Sequence, residues 1–103
     1  MAIINVTGNG GTQVDITVPA TKTHAITNIL VCNVSTVNTG AFDLHFVPSG
    51  NARGDANKVI HNLSLPPEET FTFDTERIIL DAGDYISFIA PNDLVMTLSY
   101  MEV

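Results

Sequence analysis

The residues whose types suit chemistry are three histidines, a set of C-terminal acids, one cysteine and one arginine-bearing loop. His24, His45 and His61 stand far apart in the chain, although neighbouring strands would bring His45 near His61. A metal centre needs three or four ligands held by oriented neighbours. No Cys-x-x-Cys, His-x-His or Glu-x-x-His spacing occurs. The histidines therefore read as sheet-edge residues or as partners of aromatic rings, and no metal or cofactor is expected. Asp74, Glu76, Asp81, Asp84 and Asp93 gather near C-terminal turns, a setting calcium uses. Their spacing fits no EF-hand loop, and they read as solvated turn residues. Cys32 lies in Ile29-Leu30-Val31-Cys32 with no base beside it, and reads as a small buried hydrophobe. A single cysteine forms no intrachain disulfide. Ser35, Ser49, Ser64, Ser87 and Ser99 occupy no nucleophile elbow. No glycine-rich loop opens a helix to cradle phosphate. A two-carboxylate glycosidase would need a cleft and sugar platforms, which a chain with no Trp and two Tyr hardly offers. Enzymatic activity is not expected.

What remains is the longest polar loop, residues 48–57. Loops of this kind carry function more often than strands do. Pro48, Ser49, Asn51, Arg53, Asp55 and Asn57 are its candidate partner contacts, and Arg53 is one of only four bases. Arg53-Gly54-Asp55 spells a tripeptide that some adhesion receptors bind. Three residues recur by chance constantly, and the segment reads as a charged loop tip.

The elements that hold these residues read as strands. Residues 13–18 alternate, with Val14, Ile16 and Val18 on one face. Residues 25–34 form the longest strand candidate, apolar on both faces over 29–32 as a central strand is. Phe42, Leu44 and Phe46 point inward in 42–47, and Val59, His61, Leu63 and Leu65 share a face in 58–65. Short strands follow at 70–73 and 94–101, and 3–6 reads as an edge. Residues 78–89 are two apolar runs around Asp81-Ala82-Gly83-Asp84. Gly83 can take positive φ and the aspartates can bond backbone N–H groups. The pattern predicts a β-hairpin whose second strand lies deep in the core. With turn signals roughly every ten residues and no 3.6-residue period, the chain reads as one all-β domain over 1–103. The expected fold is an antiparallel β-sandwich, jelly-roll-like, of about eight to nine short strands.

Composition narrows the partners. The net charge is −7, from 11 acids against 4 bases, with no basic stripe. Neither nucleic acid nor an anionic membrane is an expected partner. Charged residues make up only 15% of the chain, against roughly 25% in ordinary soluble proteins. The surface must be dressed with Thr, Asn and Ser, or be partly covered by a partner. The N-terminal residues resemble no signal peptide, and no apolar run spans a bilayer.

Several segments in order resemble small virion structural proteins of tailed bacteriophages, especially those of cyanobacteria and marine bacteria. They are a strand ending Cys32-Asn33, a strand ending Phe46-Val47-Pro48-Ser49-Gly50, a Pro66-Pro67 corner, the Leu80-x-Ala82-Gly83-Asp84-x-Ile86 turn and the closing Ser99-Tyr100-Met101-Glu102-Val103. The match runs from about Ile26 onward. The resemblance implies a β-sandwich on the particle, and supplies no catalytic residues. On this basis the expected function is a capsid decoration (cement) protein that stabilises the shell. It would be made in the host cytoplasm, localised to the virion and bound to the major capsid protein or another virion protein. A homo-oligomer is expected, with local three-fold positions suggesting a trimer. The alternatives are a tail, neck or baseplate protein, or a receptor- or carbohydrate-binding module contacting its ligand through residues 48–57.

Overall fold

A computed structural model describes residues 2–73 and 78–103. Asp74 and Glu76, two of the acids weighed above, lie outside the described residues. Nine strands follow in order: β1 (Ala2–Thr7), β2 (Gln13–Thr17), β3 (His24–Asn33), β4 (Gly40–Val47), β5 (Lys58–Leu65), β6 (Thr70–Phe73), β7 (Ile78–Leu80), β8 (Tyr85–Ile89) and β9 (Leu94–Glu102). One short 3₁₀ turn, Asp55–Asn57, precedes β5. The strands end where period-2 alternation meets Pro, Gly or Asn, as at Pro48, Pro66 and Pro91.

All pairings are antiparallel, in two sheets. One runs β1-β9-β3-β6, with β7 also paired to β3; the other runs β2-β8-β4-β5. With β7 set aside, the two sheets have the strand order of a jelly roll, and β4 and β5 are the one consecutive pair that shares a sheet. The fold is thus the β-sandwich that the strand spacing predicts, with β1 at an edge and β3 central.

The core lies between the sheets. Ile26, Ile29, Val31, Leu94, Met96 and Leu98 of one sheet meet Phe42, Leu44, Ile86 and Phe88 of the other. Phe42 joins the layers, its ring centroid 6.0 Å from Phe71 and 5.9 Å from Phe88, both tilted. Such tilted contacts suit the aromatic quadrupole. Asn33, 1% exposed, is the polar staple at one end. Its Nδ2 donates to Asn38 O at 2.8 Å and Leu65 O at 2.9 Å, and its Oδ1 accepts from Ser35 N at 3.0 Å. A buried amide with three partners ties β3, the following loop and β5 together without a desolvation cost.

Two expectations need correction. Residues 78–89 are not a hairpin. β7 pairs with β3 in one sheet, while β8 pairs with β2 and β4 in the other. The Asp81–Asp84 turn carries the chain across the sandwich. Its local chemistry is as expected: Gly83 has φ 86°, and Asp84 Oδ2 accepts from Asp81 N at 2.9 Å. The turn docks on β2 instead of closing a ladder with itself, Gly83 N donating to Val18 O at 3.0 Å. The second correction is in β5. Asn62 has φ 49°, and its N–H donates to Asp43 Oδ1. This irregularity inverts the alternation. Ile60 opposes Leu44 and Leu63 opposes Phe42 on the core side, so Val59 and His61 point outward and are exposed.

Candidate functional site

The loop 48–57 is not a free tip. Its first turn closes through Asn51 N to Pro48 O at 3.1 Å. Asn57 fastens the far end: its Nδ2 donates to Ala52 O at 3.0 Å and its Oδ1 accepts from Gly54 N at 3.1 Å. Three further bonds lay the loop on the outer face of the β2-β8-β4-β5 sheet. Ser49 N donates to Asp84 Oδ1 at 2.8 Å, Tyr85 Oη to Asn51 O at 3.2 Å, and Arg53 Nε to Gln13 Oε1 at 2.7 Å. Asp84 therefore holds two segments at once, the crossing turn and the start of the loop. An added Cβ at Gly83 would collide with the Ser49 side chain, so the glycine is required for this docking as well as for its φ.

Beneath the loop, outward-facing residues are buried. Along β4 and β8, His45 opposes Ser87 and Val47 opposes Tyr85. Both pairs alternate with the core pairs Leu44–Phe88 and Phe46–Ile86, so they point away from the core. Yet His45 and Val47 are 1% exposed and Ser87 is 0% exposed. His45 Nδ1 and Ser87 Oγ are buried without a hydrogen-bond partner. Burial holds the His45 imidazole below its ordinary pKa, and the cations Arg53 and Lys58 push the same way against Asp43 and Asp55. The setting of His45 thus favours the neutral imidazole.

Of the six loop positions singled out, Pro48, Ser49, Asn51, Arg53 and Asn57 take part in the bonds that fix the loop; all six are exposed except Asn57, which is half-buried. Asp55 faces Lys58 Nζ at 3.5 Å. Lys58 Nζ also lies 2.9 Å from His61 Nδ1 and 3.9 Å from Asp43 Oδ2. A hollow of about 330 Å³ opens beside Asp55, Lys58, Val59 and His61. The strand pairing brings His61 and His45 to the same side of the sheet, one exposed and one buried, and no group of three metal-ligating side chains forms among the described residues. His24 stacks on Tyr100, 4.3 Å between centroids, the aromatic partner expected of it.

Residue types alone did not single out His45 or Ser87 as a buried outward pair. A signal was present: Val47 and Ile89 make β4 and β8 apolar on both faces, a pattern of strands covered on both sides.

The opposite outer face, on the β1-β9-β3-β6 sheet, has no such cover among the described residues. β9 presents Val95, Thr97, Ser99 and Met101 there, and β1 presents Ile3, Asn5 and Thr7 opposite them. β3 adds Ala25, Asn28, Leu30 and Cys32, with Thr27 at the bulge beside Asn28. Thr27 Oγ1 bonds Ser99 Oγ at 2.9 Å and Thr97 Oγ1 bonds Asn5 Oδ1 at 3.0 Å, pairing hydroxyls across strands.

Compared with protein-family models, with curated proteins and with solved structures, the chain matches none.

Proposed function

We propose that this chain is a structural protein of a tailed-bacteriophage virion, a decoration protein that binds the outer capsid surface and stabilises the shell. The observation that carries this reading is the pair of sheet orders, β1-β9-β3-β6 and β2-β8-β4-β5. That architecture recurs in viral capsid domains. A fold hosts many functions, so the reading also leans on the resemblance of the ordered segments from Ile26 onward. The loop 48–57 supports it physically. Its bonds to Gln13, Asp84 and Tyr85 preorganise an exposed polar surface, which lowers the entropy cost of docking. Many copies on a lattice need only modest affinity each. A net charge of −7 suits the capsid exterior better than a face toward DNA. The partner is then the major capsid protein or another virion protein.

Copy number per particle tests the assignment. A count comparable with the number of capsid subunits supports decoration, whereas the few copies of a tail, neck or baseplate part overturn it. Particles lacking the protein should lose their shells earlier on heating or at low salt; equal survival would remove the stabilising role. Jelly rolls also serve as lectin domains. Glycan binding abolished by changes in residues 48–57 would replace the decoration reading with a receptor-binding one.

A further inference from the structure

We infer that the bare outer face of the β1-β9-β3-β6 sheet is where two copies of this chain pair, face to face about a two-fold axis. An antiparallel sheet face turned to water is ordinarily polar, with charges among its residues. Here every described Asp, Glu, Lys and Arg lies on another face or at the ends of the sandwich, and this face carries hydroxyls, amides and aliphatic groups. One row is plainly apolar. Met101 opposes Ala25, and Ala25 opposes Ile79, with Ile3 diagonal to Met101 across β1. Ile3 is 68% exposed, Ile79 54%, Met101 44% and the adjoining Val103 72%. A groove of about 340 Å³ runs between Ala25, Thr27, Ile79, Met101 and Val103.

Charge identifies the occupant. At −7, two copies repel wherever acidic surfaces meet. This face, uncharged among the described residues, is where they approach without opposing like charges. A two-fold interface must also be complementary to itself. A patch of hydroxyls and aliphatics satisfies this, whereas a patch of one sign does not. A basic partner, by contrast, would be drawn to the acidic loops and turns. Size agrees: four strands about 4.8 Å apart and roughly seven residues long give a face on the order of 20 by 25 Å. That is about 500 Å² in plan, and side-chain relief brings it to the lower end of the roughly 600–1,000 Å² per partner of a standard interface.

The inference gives the homo-oligomer implied by the resemblance a pairing surface, as a two-fold dimer in place of the suggested trimer, and stands apart from the virion assignment, which particle counts test. Sedimentation equilibrium of the full chain at high micromolar concentration should give twice the monomer mass. Cys32, half-buried on this face, is a built-in reporter, and its reaction with a thiol reagent should slow as dimer forms. Thr97→Lys sets two like charges near the centre of the interface and should weaken dimerisation by at least about a hundredfold. Met101→Lys should do the same from the apolar row. Ser64→Lys, exposed on β5 of the other sheet, should leave the dimer intact. Circular dichroism of each variant separates lost pairing from lost folding. A monomeric or trimeric wild-type chain overturns the inference, as does a dimer that survives both face variants or dissociates on Ser64→Lys.

Discussion

The two outer faces of this sandwich are built from the same kind of strand and end differently. On the β2-β8-β4-β5 sheet the chain covers itself: the loop 48–57 lies across β4 and β8, and His45, Val47 and Ser87 become as buried as the core. On the β1-β9-β3-β6 sheet no described segment does so, and Ile3, Ile79 and Met101 stay open. A sheet face can thus be finished by tethering a loop or left for another molecule. The difference shows in composition. The self-covered side tolerates a buried imidazole and has the ion pairs of Lys58 around its rim. The bare side is free of charge among the described residues.

Four changes would break or sharpen this contrast. Gly83→Val should act most strongly, at about 3 kcal/mol or more. A β-branched residue resists φ 86° and its side chain would displace Ser49, so turn and loop fail together. A denaturant midpoint near that of the wild type would show that the turn does not anchor the cover. Asp84→Ala removes both carboxylate acceptors and should cost about 1–3 kcal/mol. Limited proteolysis should then cut within 48–57 before any other site.

His45 makes the covered face pH-sensitive. Its folded pKa lies below the ordinary 6.5, so the unfolded chain binds the proton more readily. Stability is therefore full above about pH 6.5 and declines as the pH falls toward the folded pKa. Urea titrations across this range should show the slope, and His45→Phe should flatten it. An unchanged slope in that variant would assign the effect to other groups. The smallest effect belongs to the bare face. Thr72→Lys, exposed on β6, should shift monomer stability by no more than about 0.5 kcal/mol. A larger loss in thermal melts would mean that this face is not free in the single chain.

Much of the fold was legible along the chain because strand formation here is a local matter. Period-2 alternation, β-branched residues and Pro, Gly or Asn breaks located all nine strands, including the central β3 and the edge β1. The Gly83 turn was legible in its φ and in the aspartate that caps it. The loop 48–57 stood out as a polar segment, but not as one bonded to Gln13, Asp84 and Tyr85. Those partners come from three other parts of the chain and leave no mark on the loop's own composition.

By itself, the sequence determined that this is a small acidic all-β domain of short antiparallel strands, poor in charge and without a recognisable catalytic motif. The tertiary structure decided which runs pair. It sent 78–80 and 85–89 to different sheets, because turn chemistry specifies a change of direction but not the partner ladder. It decided which β5 residues face inward, because the irregularity at Asn62 inverts the alternation across it. It also decided which face is covered, since burial outside the core depends on where a distant loop comes to rest.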